Sequence, residues 1–329
     1  MIIRPSTYGL IRLKNEKRAY VKNSPRQIQF NQRRSNMKPG FSIVGCGRLG
    51  ITLAKVLSEK GYPAKGFASR SLTSAQKAAE LSGSSNAGTD PLSATRDADI
   101  IFITTPDGLI GSVCQSMAKS GAFRPGHIVF HCSGSLPSTL LESAKDCGAN
   151  IGSIHPLQSF ATVHLDRNPF EGIIAAVEGD KKAVTLGLDI ARDLGSKGLT
   201  IKTQAKTMYH ASAVVASNFM VTLVDFAYHL LSVAGIDSKD AYSVLGPLIE
   251  GTLANIKQVG TVNALTGPIV RGDVGTVSDH IREINEKTPQ LLELYKVLGK
   301  HTVEVAKKRG GLSEESLDGL TRLLESHGG

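Results

Sequence analysis

From Phe41 to about residue 202 the chain alternates short apolar runs with helix-like segments, and long helical patterns follow to its end. Apolar runs at 41–44, 64–67, 100–104, 127–131, 150–154, 172–177 and 199–202 read as strands. Between the first two, residues 48–60 place Leu49, Leu53, Val56 and Leu57 on one helical face, and Gly61 ends the pattern. Strands alternating with helices predict βαβ units around a parallel sheet. Beyond residue 203 the period-2 signals stop, and helices are predicted over 205–234, 238–259, 279–309 and 313–326. The fold class expected is α/β, a parallel-sheet domain over 39–203 followed by an all-α domain over 204–329. No internal repeat follows residue 40.

The 329 residues carry a formal charge of +9, which raises the question of a nucleic-acid or membrane partner. Location answers it: residues 1–40 hold ten Lys or Arg against one acid, Glu16, and the remainder balances the two signs. The globular part lacks a basic footprint, so no nucleic-acid partner is expected. Residues 1–38 form a basic extension expected to be disordered and dispensable. A transit peptide or an in-frame start upstream of Met37 would account for it, and the compact run that begins at Met37 favours the second. Cys46, Cys114, Cys132 and Cys147 show neither zinc nor dithiol spacing. Reduced thiols and a cytoplasmic setting are therefore expected. The longest uncharged apolar stretch, residues 207–224, contains His210, Ser212, Ser217 and Asn218 and ends at Asp225, which predicts a buried helix and no membrane span.

The first candidate chemistry lies directly after the first strand. Gly45, Cys46, Gly47, Arg48, Leu49 and Gly50 spell G-C-G-R-L-G at the mouth of an amphipathic helix. The glycines permit a tight turn, a close backbone approach to a pyrophosphate and close helix–strand packing, which makes this a Rossmann-type dinucleotide fingerprint. The helix N-terminus adds unpaired N–H groups and partial positive charge. An NAD site carries an acid at the end of the second strand, where this chain reads F-A-S-R-S. Ser69 and Arg70 suit a 2′-phosphate, so NADP is the cofactor expected. Thr104, Thr105 and Pro106 end the strand at 100–104, on the side expected for the nicotinamide ribose.

Ser133 and Gly134, in a small-residue loop after the strand at 127–131, suit a substrate carboxylate approaching backbone N–H groups. His155 ends the next strand and reads equally as structural or functional. On the long helix Lys206, His210 and Ser217 fall within about 40° of one another, and Asn218 lies about 80° from His210. In a carbonyl reductase, His210 or Lys206 would supply the proton while Asn218 and Ser217 orient the substrate. Near the turn at 265–273, Thr266, Arg271 and Asp273 read as helix caps, with a carboxylate clamp at Arg271 as the alternative.

GCGRLG, TTPD, HCSGSLP, HPLQSF, YHASAVVASN and LTGPIVRGD occur in this order. Together they resemble a family of Rossmann-like NADP oxidoreductases with a C-terminal helical domain of unknown function. That family is similar in architecture to pyrroline-carboxylate reductases and β-hydroxyacid dehydrogenases, and the likeness covers about residues 39–326. It implies phosphate contacts at Gly45, Gly47, Arg48 and Gly50, a 2′-phosphate site at Ser69 and Arg70, and a nicotinamide-side turn at Thr105 and Pro106. It further implies a substrate loop at Ser133 and Gly134, a polar helix stripe at His210 and Asn218, and a homodimer built through the helical domain. Some members reduce ketopantoate, which makes a small keto acid the leading substrate expectation. An imine reductase and a non-catalytic NADP-binding sensor are the alternatives. β-Hydroxyacid dehydrogenases place Asn four residues after the helix Lys, whereas His210 stands there in this chain, so the proton donor stays open.

Overall fold

The computed structural model describes residues 38–160, 163 and 166–326. The basic extension lies outside the described residues. The chain divides into two compact units at His210/Ala211.

The first unit is built on an eight-stranded sheet in the order β3-β2-β1-β4-β5-β6-β7-β8. Its strands are β1 Phe41–Val44, β2 Ala64–Ala68, β3 Ala87–Gly88, β4 Ile100–Ile103, β5 Ile128–His131, β6 Asn150–Pro156, β7 Ile174–Gly179 and β8 Lys197–Thr200. All four residues of β4 are buried, Ile100 and Phe102 in one core and Ile101 and Ile103 in the other. Helices cover both faces of such a sheet, which is why its strands read as continuous apolar runs instead of alternating ones. Helix α1, Arg48–Glu59, packs one face through Leu53, Val56 and Leu57. Helix α2 (Leu72–Ser82) follows β2, and α3 (Asp107–Lys119) covers the other face with Ile110, Cys114 and Met117.

Two features depart from the expected parallel sheet. Strand β3, only two residues long, carries too little pattern to announce itself. Strand β7 pairs antiparallel to β6, while β8 pairs parallel to β7. No crossover helix occurs among the described residues between β6 and β7, and a parallel return needs one. Helix α4, Lys181–Asp193, supplies the crossover from β7 to β8.

The second unit is helical from its start. The expected helix at 205–234 begins within the first unit and consists of α5 (Lys206–Val214), a π-turn (Val215–Phe219) and α6 (Met220–Val233). Helix α7, Ala241–Ala264, is kinked at Gly260, whose φ is 76°. The single helix expected over 279–309 is two, α8 (Val274–Lys287) and α9 (Leu292–Arg309), because Pro289 interrupts the ladder. With α10, Glu314–Glu325, they enclose a small core of Val277, Val303, Leu320 and Leu324.

The expectation of a buried helix over 207–224 is corrected: Met208, Val215, Phe219 and Val221 are exposed in this chain. The apolar positions run all round the helix, beyond what one chain's small helical core can cover. The segment Thr203–Val233 is also, among the described residues, the one helix long and apolar enough to cross a membrane, by length and composition only.

Candidate active site

The fingerprint adopts the geometry its residue types require. Gly45 has φ of 104°, and a Cβ there would stand 2.7 Å from the Thr105 nitrogen. Thr104 Oγ1 donates to the Gly45 carbonyl at 2.6 Å, tying the end of β4 to the loop. A Cβ on Gly50 would collide with that same carbonyl, so the third glycine sets how closely α1 approaches β1. Around the Cβ position of Gly47 nothing stands within 4 Å. Gly47 caps α1 without a side-chain hydrogen bond, and the first turn holds no acid. The α1 N-terminus is thus an open cradle of the kind that accepts phosphate.

A cavity of about 410 Å³ lies against this cradle, lined by Gly45, Cys46, Gly47, Ser69, Arg70, Thr104, Thr105 and Pro106. Thr105 Oγ1 is buried without a hydrogen-bond partner, a polar atom left for a ligand to satisfy. The open cradle and this atom fit a dinucleotide. The Cys46 side chain belongs to the core, where burial pushes its thiol up to about 12. Leu49 packs on the core and Arg48 is exposed. Ser74 and Thr89 also line the cavity and were not anticipated. Thr89 follows the unannounced β3, and Ser74 reads as an ordinary first-turn residue.

A second set of groups gathers at the carboxyl ends of β4, β5 and β6. Ser133 Oγ donates to Asp107 at 2.7 Å, and Ser135 Oγ donates to the same carboxylate at 3.2 Å. Ser133 Oγ in turn accepts from the Ser135 and Leu136 nitrogens at 3.3 and 3.1 Å. The Ser133 N–H donates to His131 Nδ1 at 3.1 Å, which leaves the ring proton on Nε2, facing the Pro137 carbonyl at 3.2 Å. Burial, with Lys206 second, pushes His131 down to about 3.

Two imidazoles close on Gly134. A Cβ there would stand 2.6 Å from His210 Cδ2 and 2.7 Å from His155 Nε2. The rings of His155 and His210 lie 6.1 Å apart, and His155 Nδ1 hydrogen-bonds the Tyr209 hydroxyl at 3.3 Å. Burial, helped by Lys206 and His210, holds His155 at about 4, so it is neutral at pH 7. Lys206, 1% exposed, donates to the Ser133 carbonyl at 2.7 Å and to Ser153 Oγ, with Glu178 3.6 Å away. Its ammonium is enclosed by these partners. Ser217 and Asn218 fall in the π-turn of the second unit, where both are exposed. A π-turn advances less than 100° per residue, so a helical wheel drawn at 100° does not give their angles to His210.

Comparisons with known proteins agree with the two-part fold. A Rossmann-like domain family matches residues 24–156. A family described as a domain of unknown function, DUF2520, matches residues 173–302. The chain joins a Rossmann-like domain to a DUF2520 domain. The DUF2520 match begins inside the sheet, before β7, and so takes in Glu178, Lys206, Tyr209 and His210. No curated protein matches the sequence.

Among solved structures, one described as an NADP oxidoreductase from Bacteroides fragilis aligns with TM-score 0.67 at 23% identity, over 81% of this chain and 98% of its own. Protein TM1727 from Thermotoga maritima aligns with TM-score 0.63 at 27% identity, over 82% and 98%. A reductive aminase from Aspergillus terreus, in complex with NADPH and ethyl levulinate, aligns with TM-score 0.55 at 13% identity, over 88% and 93%. The Rossmann-like and DUF2520 pair is thus folded as NADP oxidoreductases are.

Proposed function

We propose that the protein is an NADPH-dependent reductase of a small C=N or C=O substrate. The observation that carries this reading is the open phosphate cradle at Gly47, with the unpartnered Thr105 hydroxyl beside it, leading onto the Asp107, Ser133, His155 and His210 cluster. Ligands of open α/β sheets sit beyond the carboxyl ends of the strands, where both features lie. The N-terminal turn of α1 would hold the pyrophosphate, and Ser69 and Arg70 the 2′-phosphate. NADPH, when bound, supplies the hydride. His210, facing Gly134, would supply the proton that the substrate nitrogen or oxygen takes up as hydride adds to its carbon.

The cluster's charge favours an imine over a keto acid. A carboxylate needs a cation or free N–H donors, yet the Ser133, Ser135 and Leu136 nitrogens already have acceptors and the Lys206 ammonium is enclosed. Asp107 is the acid beside the loop, and it would stabilise a protonated C=N while repelling a carboxylate. Ketopantoate, carried by the motif resemblance, is therefore the second reading.

The exposed apolar helices α5 to α7 are proposed to meet a second copy of the chain in a homodimer. The four cysteines, all free thiols, suit the reducing cytoplasm.

The test is NADPH consumption by the purified protein with a cyclic imine, ketopantoate and a panel of keto acids, with NADH as control. Turnover of the imine with NADPH is expected, and Arg70→Ala should weaken NADPH binding about tenfold while sparing NADH. Tight NADPH binding without turnover of any substrate would make the protein a sensor, and equal use of NADH would remove the role of Arg70.

A further inference from the structure

Glu178 and Lys206 form an ion pair in which each side chain is 1% exposed. Two charges taken this far from water persist only where hydrogen bonds satisfy them, so the partners reveal what the pair holds. The Glu178 carboxylate accepts from the Ser138 nitrogen at 2.8 Å, from Ser138 Oγ at 2.7 Å and from Thr203 Oγ1 at 2.8 Å. The Lys206 ammonium donates to the Ser133 carbonyl and to Ser153 Oγ.

These bonds grip both ends of one loop. Ser133 opens the loop after β5 and is held by Lys206; Ser138 closes it and is held by Glu178. The same lysine starts α5, which one turn later presents His210 to Gly134 in the middle of that loop. Strand β7, loop 133–138 and the first turn of α5 therefore meet at a single buried pair.

We infer that Glu178 and Lys206 are positioning residues, which fix the 133–138 loop against His210, and that Lys206 does not itself protonate substrate. Five groups face the ammonium: Glu178 from β7, His131 and Cys132 at the end of β5, Asp107 from α3 and His155 from β6. Burial draws Lys206 down to about 8, opposed chiefly by Glu178. Removing the carboxylate's charge would free the ammonium's proton at lower pH and release the loop at Ser138.

The inference rests on the reductase reading only for its kinetic arm, so the first measurement is independent of turnover. In the full chain without cofactor, Glu178→Gln should speed amide hydrogen exchange over residues 133–138 about tenfold, with strands β1 and β4 unchanged. Unchanged exchange in the loop would overturn the inference. Ser153→Ala removes one acceptor without altering charge and should give about a threefold increase; it decides the matter if Glu178→Gln does not fold. For the kinetic arm, Glu178→Gln should leave NADPH affinity intact, raise KM and move the alkaline limb of kcat/KM down by about one pH unit. A limb that stays in place would overturn it. A wild-type chain that reduces nothing defeats the reductase reading alone, because the exchange experiment still decides what the pair does.

Discussion

Three histidines of the sheet unit, His127, His131 and His155, are kept neutral by burial, at about 4, 3 and 4, with nearby Arg124 or Lys206 adding to the effect. In the unfolded chain each takes a proton near pH 6.5. As pH falls through that value the unfolded state binds protons first, so the stability present above pH 6.5 is lost on the way down to about 4. Each histidine contributes up to about 1.4 kcal/mol per pH unit within that window. Urea midpoints should therefore be level from pH 8 to 7 and fall between pH 6.5 and 5, where carboxylates remain ionised. A level midpoint down to pH 5 would mean that these rings reach water. At this scale the glycine fingerprint was legible because each glycine answers a local steric demand. The juxtaposition of His155, Tyr209 and His210 around Gly134 was not, since residues 134, 155 and 210 have no common periodicity.

Element by element, the buried strands were the clearest signal, because a sheet covered on both faces leaves unbroken apolar runs. Boundaries set by side-chain chemistry were harder to read. The region around 265–273 was expected to be a capping turn, and Asp273 does cap α8, accepting from the Thr276 nitrogen at 3.0 Å and from its hydroxyl at 2.7 Å. Asp273→Ala should lower the stability of the helical unit through loss of this cap. Denaturation followed by a probe within residues 274–325 would measure it, and an unchanged midpoint would mean that the cap contributes nothing. The π-turn at Val215–Phe219 escaped notice because an inserted residue leaves a hydrophobic sequence looking like any other helix.

For the whole molecule, the notable surface is apolar. Val221 is 69% exposed and Leu248 66%, with Phe219, Leu223, Val244 and Leu253 also open. Surfaces of this kind mark partner sites on soluble proteins. A homodimer should therefore sediment at twice the chain mass at micromolar concentration, and Val221→Glu with Leu248→Glu should reduce it to monomer. A wild-type monomer would count against the dimer, and co-flotation with lipid vesicles would assign the same helices to a membrane.

The sequence by itself determined where the strands other than β3 run, the glycine cradle and the serine–arginine end of β2, because each depends on neighbours a few residues away. Only the tertiary structure decided the antiparallel turn of β7, the enclosure of Lys206 and the commitment of the Ser133 loop to Asp107. Those depend on groups 19 to 73 residues apart in the chain, brought together by the order of the strands and by the need to pair every buried charge.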